Sequence, residues 1–336
     1  MKKCLSLILI FAMIMTSFIC IFAETEQSDC SLTTPSSSKA FDCERLFNEF
    51  CVMTEGKTPE EVFLMSGQIS NLYENLSDNK IEEENEACQE FLDYLETEGI
   101  AFDEWIQSSP EEIFDTLSTY EEITIEKETD NLLREWGMSR ENLKSNTRGE
   151  IDDLINNIVA YVKQKGKATA RATIRSMASG FTSLYPAATA LLLYSLQDHP
   201  VKQYFYSPSL VCNAIQNHGD FINEYQYIFS LARGNGGAYT MNNQSMVLTR
   251  ARGVDGYLAI KTFSFNARVW MVTNTNYMRM SFTVKDRYDF ARENYSGGAI
   301  NNLIIFINNV AYKAQQLGVI VPYDLVAYPA VPDTYR

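Results

Sequence analysis

The alternation of apolar and polar side chains is sharpest between Thr262 and Lys285. Phe263, Phe265, Ala267, Val269 and Met271 share one parity, and Thr262, Ser264, Asn266 and Arg268 share the other. Side chains in a strand alternate between faces, so the pattern predicts a half-buried strand. The polar run Thr273-Asn274-Thr275-Asn276 has turn chemistry. Beyond it Met278, Met280, Phe282 and Val284 form a second apolar face, with Tyr277, Arg279, Ser281, Thr283 and Lys285 opposite. Together these predict a long antiparallel β-hairpin. Continued parity sends Asp286 and Tyr288 toward the core and Arg287 and Asp289 outward. The competing expectation is a strand that ends by Lys285, with Asp286 opening a loop. A carboxylate aimed at a core has to be paired, hydrogen-bonded or protonated.

Helical spacing dominates elsewhere. Thr58-Pro59-Glu60-Glu61 and Ser109-Pro110-Glu111-Glu112 each place a capping hydroxyl, a first-turn proline and a glutamate three residues on, which are helix starts. Cys88, Phe91, Leu92 and Leu95 form an apolar stripe between them. From Glu150 to Lys165 the stripe is Ile151, Leu154, Ile155, Ile158, Val159 and Val162. The cations Lys163, Lys165, Lys167, Arg171 and Arg175 follow and are expected on a solvated face. Residues 176–197 carry no charge, but Gly180 and Pro186 interrupt them. A buried helical pair broken at Tyr185-Pro186 is expected; insertion into a membrane through this stretch is the alternative. A last stripe, Ile300, Leu303, Ile304, Ile307, Val310, Ala311, Ala314 and Leu317, is closed by Gly318. Val319–Val321 and Leu325–Tyr328 read as short strands bounded by Pro322 and Pro329, hence at a sheet edge.

The fold class expected is therefore α+β. An acidic helical domain (42–149) leads through a helical connector with the basic cluster (150–199) to a C-terminal α+β module (200–336). That module holds the hairpin, a packing helix and short edge strands. Lys2-Lys3 followed by the apolar run to Phe22 reads as an export signal over 1–23, ending at Ala23. The Ser/Thr-rich residues 24–41 read as a linker. A secreted or cell-surface location follows.

Charge sharpens this picture. The 336-residue chain carries −15 at neutral pH, which argues against nucleic acid as a partner. The charge is unevenly spread, at roughly −23 over 24–150 and roughly +6 over 151–336. Of the cysteines, Cys30, Cys43, Cys51, Cys88 and Cys212 lie beyond the signal, an odd number for internal pairing. Cys212 reads as a small buried apolar residue.

The chain offers little catalytic chemistry. It has two histidines, His199 and His218, both beside an aspartate or near one. No zinc, EF-hand, P-loop or nucleophile-elbow spacing occurs, so no cofactor is specified. The strongest candidates are Asp286, Tyr288 and Asp289, with His218 as a possible base. The run Asp286-Arg287-Tyr288-Asp289 is similar to a motif in colicin M-type toxins, secreted enzymes that cleave the lipid-linked cell-wall precursor. That resemblance implies a hydrolase acting on a phosphate-containing envelope substrate. In that family a His-Arg pair follows closely; here the region reads Glu293-Asn294-Tyr295-Ser296. The other expectation is an exported binding or interaction module. Its partner would be a cell-surface or envelope component, met by the Tyr, Asn and Trp side chains near the hairpin.

Overall fold

The capping signals at Thr58 and Ser109 form as their residues dictate. The Thr58 hydroxyl accepts from the Glu61 N–H at 3.2 Å, and the Glu61 carboxylate accepts from the Thr58 N–H at 2.7 Å. Ser109 and Glu112 repeat the exchange at 3.2 and 3.0 Å. They start two of the helices in the computed structural model, which describes residues 43–135, 148–295 and 299–336. The signal and the linker lie outside these residues, as does most of the junction after residue 135.

The N-terminal helices are α1 (Cys43–Thr54), α2 (Pro59–Leu64), α3 (Ser66–Glu74), α4 (Asp78–Thr97), α5 (Phe102–Trp105) and α6 (Pro110–Glu135). Phe63, Phe91, Phe102 and Trp105 pack as a ring cluster among them, with centroids 4.9–6.5 Å apart. Then come α7 (Arg148–Ser179) and α8 (Pro186–Ser195), separated by the break expected near Tyr185-Pro186. Among the described residues no helix is long and apolar enough to cross a membrane. Every residue of α8 after Pro186 is buried inside the protein.

The second half holds β1 (Gln203–Tyr206), α9 (Leu210–Gln216), α10 (Gly219–Gly234), β2 (Tyr239–Val247), α11 (Val254–Ala259), β3 (Thr262–Met271), β4 (Tyr277–Tyr288), α12 (Ala299–Gln316), β5 (Tyr323–Tyr328) and β6 (Thr334–Tyr335). The strands form one mixed sheet in the order β1-β5-β4-β3-β2, with β6 against β4. The class is α+β. β3 and β4 form the hairpin in the register Met271↔Met278 to Ser264↔Lys285. Its apolar parity is buried and its polar parity largely exposed, as alternation requires. Asn274 takes the left-handed conformation in the turn, which asparagine tolerates.

Two predicted strands depart from expectation. Residues 319–321 form no strand and lie in the irregular stretch between α12 and β5. β5 is not at an edge: it pairs with β1 in parallel and with β4 antiparallel. Its burial explains why, since Tyr323, Leu325, Val326 and Ala327 are all buried. The bounding prolines end the strand rather than marking an open side. The short β6 is what meets β4 beyond it.

The basic cluster also departs. Only its first members sit where a solvated face would place them. From Thr169 to Ser176 α7 is buried all round, among α2, α3, α4 and α6. Arg171 reaches Glu74 at 3.2 Å and Asp198 at 2.8 Å, while Lys165 and Lys167 meet Glu90 and Asp198. Arg175 is 1 % exposed. It donates to the Ser70 hydroxyl at 2.6 Å and the Ser66 hydroxyl at 3.2 Å. Ser70 in turn donates to Glu84 at 2.5 Å. Small neighbours (Ala170, Ala172, Thr173, Ser176) let the other helices approach closely enough to meet these cations.

One apolar core runs without interruption from Leu46 and Phe91 through Leu191 to Phe265 and Leu325. Helix α12 contributes Val310, Ala311 and Ala314 to it and also packs on α6.

Removing one member of a buried charged cluster leaves the rest uncompensated. Arg175→Met is expected to lower stability in urea unfolding by about 3 kcal/mol. Adding Glu84→Gln to that variant is expected to recover part of the loss, because the carboxylate then no longer lacks its cation.

Candidate functional site

Strand β4 continues to Tyr288, so the parity argument holds past Lys285 and the loop alternative does not. Asp286 lies opposite Leu325, on the face that buries Met278 to Val284. Its Oδ1 accepts the Arg287 N–H at 2.8 Å. Among the described residues no cation is bonded to it. Burial pushes its carboxyl up to about 7, with the charge of Asp289 adding and the Arg287 N–H opposing. Asp289 itself is exposed, one residue beyond the strand.

Tyr288 is buried, and its hydroxyl donates to the Ala188 carbonyl at 3.4 Å. Its ring meets Phe290 edge-on at 5.0 Å and Tyr323 at 5.5 Å. Tyr288 and Phe290 line a small apolar cavity of about 40 Å³, with Phe181 and Leu192 on one side and Ile307 and Val310 of α12 on the other. That space admits about one water and its walls are apolar, so it is a packing gap rather than a binding chamber. Gln315 holds Phe290 in place by accepting from its N–H at 2.9 Å. Burial, then Cys43, Asp255 and Asp286, keep the Tyr288 phenol far above its ordinary value.

Asp255 is a second half-buried carboxylate that sequence reasoning missed. It accepts from the Ala187 and Ala188 N–H groups at 3.2 and 2.9 Å, satisfying the first turn of α8. Burial pushes it upward and those two bonds pull it back. Its position in the first turn of a short helix gave no sign that it would cap a different one.

His218 does not join this group. It is the N-cap of α10, where Nδ1 accepts the Asp220 N–H at 3.2 Å. It is fully buried, and Gly253 and Gly256 close over its ring; a Cβ on Gly253 would stand 2.6 Å from Cδ2. Burial lowers its basicity against the pull of Asp220. Asp220 is engaged elsewhere, accepting from the Thr249 N–H and hydroxyl at 2.6 Å each. No hydrogen bond or ion pair links His218 to Asp286. His199 lies exposed after α8. Cys212 is buried, and burial pushes its thiol up. Cys51, Cys88 and Cys212 are free thiols. Among the described residues no group of three or more His, Cys, Asp or Glu side chains is placed to hold a metal ion.

The opposite face of the sheet has a different character. Tyr204, Tyr206, Arg268, Trp270, Arg279, Lys285 and Arg287 all point outward and are exposed. Tyr206 stacks on Tyr328 at 4.9 Å, almost parallel, and the Lys202 ammonium lies 5.5 Å from the centre of the Tyr204 ring. Trp270 stands opposite Arg279, and Arg268 opposite Ser281. Arg279 is paired with Asp333 at 2.7 Å; among the described residues Arg268, Lys285 and Arg287 form no ion pair, and Asp324 stands opposite Arg287 on the same face. Small polar residues (Ser264, Thr283) lie between the cations. No family model matches the chain, and no curated protein or solved structure matches it either.

The raised carboxyl of Asp286 has a sign that can be checked. A carboxylate that binds its proton more tightly when folded makes the fold lose stability as pH rises from about 4 toward 7. Asp286→Asn is expected to remove that part of the pH dependence. It should be more stable than the unaltered protein above pH 7, on the order of 1–3 kcal/mol, and nearly equal to it at pH 4. Thermal melts of both proteins across pH 4–8 check it.

Proposed function

We propose that this is an exported interaction protein whose contact surface is the open outer face of the sheet. Its partner is an anionic component of a cell surface or envelope. The observation that supports this most directly is the chemistry of that face. In a chain of net charge −15, it gathers more cations (Arg268, Arg279, Lys285, Arg287) than acids (Asp324, Asp333) between exposed tyrosines and a tryptophan. Aromatic side chains give rigid contact area, and arginines give bidentate bonds to carboxylate or phosphate groups. The acidic helices lie in a different part of the chain and leave this face free to attract an anion.

A second reading has one observation in its favour. Asp286 has a carboxyl held near neutrality beside a buried tyrosine, as a general acid or base requires. On that reading the protein is a secreted hydrolase of a phosphate-containing envelope substrate. Against it stand the burial of His218 in a separate helix cap and the exclusion of Asp286 from the apolar cavity beside Tyr288.

The two readings separate in one experiment. Protein carrying Arg268→Glu, Lys285→Glu and Arg287→Glu is compared with Asp286→Asn in sedimentation with isolated bacterial envelopes. The charge-reversal protein is expected to bind about tenfold more weakly, and binding of the unaltered protein is expected to fall as salt rises. Asp286→Asn is expected to bind normally. Retained binding by the charge-reversal protein would remove the sheet face as the contact surface. Loss of phosphate release from envelopes in Asp286→Asn alone would favour the hydrolase.

A further inference from the structure

The segment that leaves β4 places one carboxylate in a socket built by another part of the chain. Glu293 accepts from Arg250 at 2.6 Å through Oε2 and from Lys261 at 2.6 Å through Oε1. The Tyr257 hydroxyl donates to Oε1 as well. Burial disfavours the Glu293 carboxylate, but these partners together outweigh it and hold its pKa below the ordinary carboxylate range.

The three donors come from a short stretch of sequence. Arg250 lies in a single helical turn, Tyr257 on α11, and Lys261 just before β3. They are also held together without Glu293. The Arg250 guanidinium and the Lys261 ammonium both lie against the Tyr257 ring, 5.1 and 5.2 Å from its centre. Cations over an aromatic ring are attracted to it independently of any carboxylate. Glu293 is an outsider to this frame. It arrives on an irregular stretch, residues 291–295, and is presented there through its backbone. Asn309 of α12 accepts from the Glu293 N–H and donates to its carbonyl, each at 2.9 Å. Asn308 donates to the Ala291 carbonyl at 2.7 Å.

The socket therefore carries two positive charges and a phenol aimed at one point, and the chain's own carboxylate fills it. From this geometry we infer that Arg250, Tyr257 and Lys261 form an oxyanion-binding site that Glu293 occupies as an internal ligand. The class of external ligand is a small oxyanion, a carboxylate or a phosphate, which takes the place of the Glu293 side chain. A tethered carboxylate competes at high effective concentration, so the site is masked until Glu293 leaves it. The socket is separate from the outer sheet face and from Asp286, and the inference does not depend on either.

The test uses the whole protein with inorganic phosphate and acetate as probes and chloride at matched ionic strength as control. Glu293→Ala opens the socket. It is expected to show saturable stabilisation by phosphate or acetate in thermal melts and calorimetry, with a Kd about tenfold or more below that of the unaltered protein. If Glu293→Ala does not fold, Glu293→Gln, which keeps the shape and removes the charge, takes its place. Adding Arg250→Met and Lys261→Met to the same variant is expected to abolish the effect. Phosphate serving best points to a phosphorylated ligand and acetate to a carboxylate, and either supports the site. Equal affinity in the unaltered protein, no saturable response in the Glu293 variants, or a response that survives loss of Arg250 and Lys261 overturns it.

Discussion

A guanidinium taken out of water costs several kcal/mol unless its donors are met, and Arg175 lies at the centre of the helical layer with 1 % of its surface exposed. The hydroxyls of Ser66 and Ser70 come from α3, and Ser70 links on to Glu84 of α4. These three helices can pack only in an arrangement that brings those groups together. Gly67 shows how tight that arrangement is, since a Cβ there would stand 2.1 Å from the Ile81 carbonyl oxygen. Arg171, one turn earlier, binds Glu74 and Asp198 and so ties α3 to the segment that follows α8. The helical half is thus oriented by charge as well as by burial, and its packing is correspondingly specific.

That orientation decides what the sheet can expose. Helices α8, α9 and α10 take up its inner face, where Phe221 meets Phe282 edge-on at 4.8 Å. Asp286 falls on this side because strand parity continues, and its acidity is a by-product of where Tyr288 must be buried. The outer face is left to Tyr204, Tyr206, Trp270 and the cations. One strand pair therefore carries a half-buried acid on one side and a cationic, aromatic surface on the other.

Much of this was legible from residue order. The hairpin, its turn, its burial parity through Val284, both proline-led helix starts and the break before Pro186 follow from local rules that the three-dimensional packing does not override; that β4 runs on to Tyr288 instead of ending by Lys285 is set by its pairing with β5. What was not legible depended on distant partners. Arg171 and Arg175 looked like a solvated stripe because nothing near them in sequence is acidic; Glu74 and Glu84 lie about 90 residues away. The small residues around the two arginines were the available signal. Pro322 and Pro329 suggested an edge for β5, but both stand outside the strand and remove none of its ladder bonds. His218 looked like a turn residue and is instead a cap, because the two glycines that enclose it come from a later stretch. Glu293 was visible only as a departure from a motif, and its partners Arg250 and Lys261 carried no pattern of their own.

The interior place of β5 also bears on how the molecule assembles. Tyr204 pairs with Val326, so the strand that joins β1 to the hairpin follows it by about 120 residues. The hairpin can form from neighbouring residues, but its β4 edge keeps open backbone groups until β5, about 35 residues further along the chain, pairs with it. Until that closure the edge is a template for pairing with another chain. One six-residue strand therefore both covers the β4 edge and closes the pair with β1, the widest separation in sequence among the described strand pairs.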